Sequence, residues 1–192
     1  MIGSEKGFKH AHAKMSYMKA QFWSFDIMFA IVVFLVAITI LTYVWLTMSS
    51  QFSASYTNGI NLMQLQLQRL GTGLLLQGSP PNWNSLVNLS NTSGWINVSV
   101  GFGSGNASLS AQKILTFDAM SNTNYQEAKT PLGIGYDYYI LLNASGFGLA
   151  IGRNPSGNNA YAIQAMTEPV ILNGAPANLT IELWTNTTFG IT

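Results

Sequence analysis

Residues 27–46, IMFAIVVFLVAITILTYVWL, form twenty consecutive positions without a charge, a glycine or a proline. A helix rises 1.5 Å per residue, so this run spans about 30 Å, the thickness of a bilayer hydrocarbon core. Few chains can hide such a run inside a small domain, so the segment predicts a membrane-spanning helix. Its flanks are unequal. Lys6, Lys9, Lys14 and Lys19 precede it, and no Lys or Arg follows until Arg69. The positive-inside bias therefore keeps the N-terminus cytoplasmic and sends everything after the run outside.

Charge is scarce in the rest of the chain. Only 8% of the 192 residues are charged, against about 25% in ordinary globular proteins. Residues 1–20 carry four lysines and one glutamate, whereas residues 21–192 carry four basic and six acidic groups. The exported part has no basic patch of the kind that nucleic acid needs. There is no cysteine, which excludes disulfides and thiolate metal sites. The exported part must hold together by packing and hydrogen bonds.

The first twenty residues, MIGSEKGFKHAHAKMSYMKA, are basic and polar. An ordinary secretory signal has a shorter charged start and a 7–15-residue apolar run, followed by a small-residue cleavage site. Here Ser53-Ala54-Ser55 offers such a site, with the cut after Ser55. The alternative places the cut before the apolar run, between Ala20 and Gln21, and leaves the helix in the mature protein.

The second arrangement resembles the class III signal peptide of archaeal type IV pilins. In that family a basic leader ends in Lys or Arg plus a small residue, and Lys19-Ala20-Gln21 fits that pattern. The resemblance covers residues 1–46. It implies a leader over 1–20 that a prepilin peptidase removes, and an apolar helix that joins other copies in a filament core. It also implies assembly machinery that extracts the subunit from the membrane. Many pilins carry Glu at the fifth mature position; here Phe25 occupies it and Asp26 follows. The resemblance gives that acidic side chain a role in assembly, as partner of the new α-amine of Gln21. A plain signal-anchored surface protein with an uncut leader is the competing reading.

Beyond the apolar run, Tyr56, Ile60, Met63, Leu67, Leu70 and Leu74 recur at steps of three and four, the seam of an amphipathic helix. The alternation of Met63, Leu65 and Leu67 with glutamines would also suit a strand. Length and the scarcity of β-branched residues favour the helix. A helix over 21–78 is therefore expected, with Asn58-Gly59 its likeliest break and Gly78-Ser79-Pro80-Pro81 its end. The seam's expected task is to cover the core of the domain that follows.

In residues 79–192 turn-rich stretches separate short β-prone runs at 95–102, 136–142, 147–151, 161–166, 169–172 and 179–184. Residues 110–120 read as a short helix with Ser110 as N-cap, and 125–129 as a further helical turn. The expected fold class is α+β: a long N-terminal helix, apolar in its lower half, with a C-terminal antiparallel β-rich head packed on its upper half.

Seven N-x-S/T sequons occur, at Asn88, Asn91, Asn97, Asn106, Asn143, Asn178 and Asn186. Asn154 is followed by proline and does not qualify. A chain rich in Asn, Ser and Thr makes some sequons by chance. Seven on the side predicted to be outside make occupied N-glycosylation sites the expectation. Asn88, Asn91, Asn106 and Asn186 fall in predicted turns; Asn97 and Asn143 fall in or beside predicted strands. Attached sugars would solvate a surface that has few charges.

Catalytic chemistry finds little support. His10 and His12, the only histidines, lie in the leader. Without them the usual general base and the usual transition-metal ligands are missing, and no metal or cofactor is expected. Carboxylate pairs among Asp118, Glu127, Asp137, Glu168 and Glu182 show no spacing that favours glycosidase chemistry over solvated surface groups. Gly101-Phe102-Gly103-Ser104-Gly105 lacks the GK[ST] ending of a phosphate loop and reads as a turn.

The chain is therefore expected to be no enzyme. It reads as a structural subunit that self-associates into an extracellular filament, waiting in the cytoplasmic membrane before assembly. Adhesion is the first expected use. Swimming as an archaellum is second, because the start QFWSFD is unlike the Gly-rich archaellin start. A membrane-anchored surface glycoprotein or binding module that never polymerises belongs to a different class.

Overall fold

The computed structural model describes residues 6–105 and 107–188, with side chains of the first helix from Phe25 onward. That helix, α1, runs from Lys6 to Leu75. After it come α2 (Trp83–Leu86), a 3-10 turn (Thr92–Asn97), α3 (Ala111–Thr123) and α4 (Tyr125–Ala128). The strands are β1 (Asp137–Ala144), β2 (Phe147–Gly152), β3 (Ala162–Leu172) and β4 (Ala175–Thr185). They form one antiparallel sheet in the order β2-β1-β4-β3. A long apolar N-terminal helix and an antiparallel sheet make this an α+β chain. It divides into two compact units, Met1–Ser53 and Ala54–Thr192.

In the second unit the upper part of α1 enters the head's core. Met63, Leu67, Leu70 and Leu74 are buried there, and Ile60 packs against the same cluster. These are the seam positions expected from the sequence. Tyr56, at the foot of the seam, remains half-exposed and meets the Tyr161 ring edge-on at 6.1 Å. The expected break at Asn58-Gly59 does not occur, and α1 passes through it. Gly59 is itself buried. Packing of the residues that follow outweighs the roughly 1 kcal/mol that a glycine costs a helix.

The inner face of the sheet carries Tyr138, Ile140 and Leu142 from β1, with Leu179, Ile181 and Leu183 from β4, all buried. Alternation in β1 and β4 puts their partners on the outer face, as period-two geometry requires. Phe117 of α3 reaches the Tyr138 ring at 5.8 Å. A Cβ added to Gly71 of α1 would stand 2.6 Å from Met166 Sδ and 3.7 Å from Ile181 Cδ1, so the helix lies close on β3 and β4.

Three local expectations need correction. The run 95–102 forms no strand. It begins inside the 3-10 turn capped by Asn91, and its backbone bonds go to scattered partners: Ser99 to Ser79, Val100 to Pro131, Phe102 to Leu74. The runs 161–166 and 169–172 are one strand, β3, with Pro169 inside it. β3 is an edge strand. Ile171 O accepts from Leu109 N at 2.7 Å on the side away from β4, and Pro169 shares that alternation. The N–H that proline lacks would have faced outward, where the ladder does not need it. Finally, Asn97 closes the 3-10 turn and lies in no strand.

Candidate functional site

The lower part of α1 is the feature with the strongest functional demand. Val32, Val33, Phe34 and Leu35 are consecutive and each is more than half exposed. Successive helical residues are turned by about 100°, so four of them sample the whole circumference. Phe25, Leu41, Tyr43 and Trp45 are about 70% exposed. Leaving one large apolar side chain in water rather than burying it costs about 1.5–3 kcal/mol. By length and composition this stretch is apolar enough to cross a membrane. Its hydroxyls do not interrupt it: Thr39, Thr42 and Thr47 donate to the carbonyls of Leu35, Ile38 and Tyr43 at 2.7–2.9 Å. Asp26 is exposed on the same helix, one residue before the apolar run. The side chains of Ala20 and Gln21, the expected cleavage pair, lie outside the described residues.

The upper end of α1 is closed by the head. Phe102 N donates to Leu74 O at 2.7 Å, and Gly103 N to Leu76 O at 2.8 Å. These bonds satisfy carbonyls that a helix C-terminus otherwise leaves unpaired. The Gly-rich run expected to be a turn is the reason this approach is close. A Cβ on Gly101 would stand 2.4 Å from both Leu76 O and Gly78 N, and one on Gly103 would stand 2.5 Å from Leu75 O. Lys113 of α3, whose helix is capped by Ser110 as expected, is buried beside them. Its Nζ donates to Gln77 O at 2.6 Å and to Gly103 O at 2.9 Å. Burial pushes the Lys113 pKa down.

A second polar cluster joins α4 to β1. The Tyr125 and Tyr138 rings stack at 4.9 Å, and the Arg153 guanidinium lies 4.3 Å from the Tyr125 ring centre. Tyr125 Oη accepts from Tyr138 N at 2.9 Å, while Tyr138 Oη donates to Ser121 Oγ at 2.9 Å. Lys129 and Asp137 form an ion pair at 3.2 Å beside them. Burial raises the pKa of Tyr125 and pushes that of Tyr138 up to about 12, the Ser121 bond opposing the shift. Sequence reading missed this cluster. Its only signal is the co-occurrence of Tyr125, Tyr138 and Arg153, which lie far apart in the chain.

Four of the five head carboxylates are placed by their partners or by register. Asp118 accepts from Asn122 on α3, and Asp137 pairs with Lys129. Glu168 and Glu182 belong to opposite faces of the sheet by register, since Glu168 faces Leu179 and Ala165 faces Glu182. Among the described residues no group of three or more His, Asp or Glu side chains could hold a metal ion.

The six described sequon asparagines are all exposed. Asn88 and Asn91 lie in turns, where their Oδ1 atoms accept from Ser90 N and Ser93 N. Asn97 ends the 3-10 turn and Asn186 follows β4. Asn143 and Asn178 stand in β1 and β4 and pair directly across the ladder. Asn106 lies outside the described residues.

No family model, curated protein or solved structure matches the chain. Any functional reading therefore rests on the residues and their arrangement.

Proposed function

We propose that this chain is a structural, non-enzymatic subunit of a pilin-like extracellular filament of the archaeal type IV kind. The observation that carries the reading is the apolar surface of α1 between Ile27 and Leu46, exposed on all sides. The same helix continues into a head with its own closed core. The precursor sits in the cytoplasmic membrane with its N-terminus inside. A prepilin peptidase removes residues 1–20, and the assembly machinery then transfers the helix from lipid to the company of other copies. The driving exchange is lipid–helix contact for helix–helix contact. The head, poor in charge and rich in sequons, faces water, and adhesion stands ahead of swimming as its use.

Shearing cells and sedimenting the released material tests this directly. Filaments containing this chain, with a mature N-terminus at Gln21 by peptide mapping, are the expected result. Detergent-soluble monomers that retain residues 1–20 would replace the filament by a membrane-anchored binding module.

A further inference from the structure

Asn143 and Asn178 are the two sequon asparagines that stand inside the sheet, and β1 and β4, which carry them, are its two interior strands. Directly opposed side chains on neighbouring strands have Cβ atoms about 4.5–5.5 Å apart. Both asparagines point to the outer face, since Leu142 and Leu179 beside them are buried on the inner one. They share a row with Gly148 of β2 and Pro169 of β3.

The surface around this row is unusual for a sheet exposed to water. It presents Gly148, Ala150, Ala165 and Thr167 with half-buried Leu141 and Thr180 and exposed Ile163 and Ile171, and its charged residues are Asp137 and Glu182. Two shallow depressions border the row. One of about 670 Å³ reaches Ser145, Pro169 and Pro176; the other, of about 440 Å³, reaches Leu141, Gly148 and Thr167. Both are lined by both asparagines. Volumes of roughly 300–1,000 Å³ hold small-molecule-sized groups. Small residues and prolines, with Leu141 and Ile171 beside them, leave an open, largely apolar floor at the point where a covalent sugar would begin.

We propose that the outer face of the sheet is a glycan seat: N-linked sugar on Asn143 or Asn178 lies back over the sheet in these depressions instead of projecting into solvent. The inference rests on the reading that the head is extracellular. Seated sugar covers Leu141, Pro169 and Pro176, and it makes this face unavailable for subunit contact. Because both sequons lie in interior strands, the sugar is added before β4 closes the sheet.

The test combines site-resolved glycopeptide mass spectrometry of the native surface protein with thermal denaturation of variants. Sugar at one or both of Asn143 and Asn178 is expected. The N143Q/N178Q double variant should lose on the order of 3 °C or more in Tm, and N186Q, which removes the exposed sequon that follows β4, should not. The same proteins made in a host without N-glycosylation should melt together, which separates the sugar's effect from the substitution's. If the double variant fails to fold in that host, Ser145→Ala with Thr180→Val removes both sequons and keeps both asparagines. Unmodified Asn143 and Asn178 beside modified Asn88 or Asn91 would overturn the seat and leave the extracellular head standing. Modified sheet asparagines whose loss leaves Tm unchanged would also overturn it. No sugar at any sequon would overturn the glycan seat and count against the extracellular head, whereas monomers in place of filaments would remove the polymer alone.

Discussion

Lys113 Nζ and Gln77 O are 2.6 Å apart, joined across thirty-six residues of chain. The contact ties α3 to the segment that leaves α1. A second bond from the same ammonium reaches Gly103 O, so one side chain fastens two strands of connecting backbone. Among the described residues no carboxylate forms an ion pair with it. These two loop carbonyls are its solvation.

Lys113→Met keeps the length of the side chain and removes both donors. Two carbonyls then lose a charge-assisted bond in a place where water enters poorly. Such bonds contribute about 1.5–3 kcal/mol each, less whatever water restores. We expect a loss of about 2–3 kcal/mol, read as a lower urea midpoint for the head with an unchanged slope.

Gly101 and Gly71 make a paired test of backbone against side-chain crowding. At Gly101 a methyl group would press on Leu76 O and Gly78 N, both main-chain atoms. Gly101→Ala should cost about 3 kcal/mol or more, because the helix end must retreat from the loop. At Gly71 the obstruction is the far end of Met166, a flexible side chain that can turn away. Helix propensity returns about 1 kcal/mol there. Gly71→Ala should therefore change stability by less than about 1 kcal/mol. Equal losses at the two sites, in denaturant titrations run side by side, would contradict this account of the Gly-rich run.

Much of this architecture is legible in the sequence because it depends on period. The apolar run and the seam through Met63, Leu67, Leu70 and Leu74 are local patterns that packing preserves. Ser110 announces α3; Asn173-Gly174, both at positive φ, makes the two-residue turn between β3 and β4, a local signal that the sequence reading passed over. What is not legible depends on neighbours distant in sequence. Residues 95–102 have strand composition but no strand beside them, so they fold as a 3-10 turn and a connector. Pro169 reads as an interruption until β3 is known to be an edge. The cross-strand pairing of Asn143 with Asn178 is fixed by register, which composition does not encode.

The stacked tyrosines give the head an alkaline limit. The folded-state pKa of Tyr138 is raised to about 12, and that of Tyr125 is raised as well, burial being the main cause in both. An unfolded chain releases these phenolic protons near pH 10. Their contribution is therefore fully present below pH 10 and is lost as pH rises toward 12. Lys113, with its lowered pKa, acts in the opposite direction below its ordinary value of 10.5. Tyrosinate absorbance of the folded protein should show Tyr125 and Tyr138 silent until the head unfolds. Tyr138→Phe should flatten the loss of stability above pH 10. An unaltered pH profile in that variant would assign the alkaline limit to other groups.

On the proposed filament reading, Asp26 poses the sharpest question about assembly. It stands one residue before the apolar run, and it would be the sixth residue after cleavage at Gln21. A carboxylate deep in a bilayer costs about 2.5–3.5 kcal/mol on insertion scales. At the membrane interface, close to a new helix start, that cost disappears and the macrodipole favours the charge. In a filament core the interface is gone, because the helix start is surrounded by other apolar helices. The carboxylate then needs a partner, and the α-amine of Gln21, in the same chain or a neighbour, is the cation nearest in sequence after the leader is removed. The acid sits one place later than in many pilins, a rotation of about 100° around the helix, so a neighbour's amine suits it as well as its own. Asp26→Ala should leave insertion and cleavage intact, read by membrane fractionation and N-terminal mapping. Sheared filament yield should fall at least about tenfold, the effect of losing ~1.4 kcal/mol per subunit contact. Mass spectrometry of Gln21 belongs to the same experiment, because cyclisation of an N-terminal glutamine removes the amine's charge. Filament yield equal to wild type, with an uncyclised Gln21, would eliminate the pairing and leave the helix dipole as the whole account of Asp26.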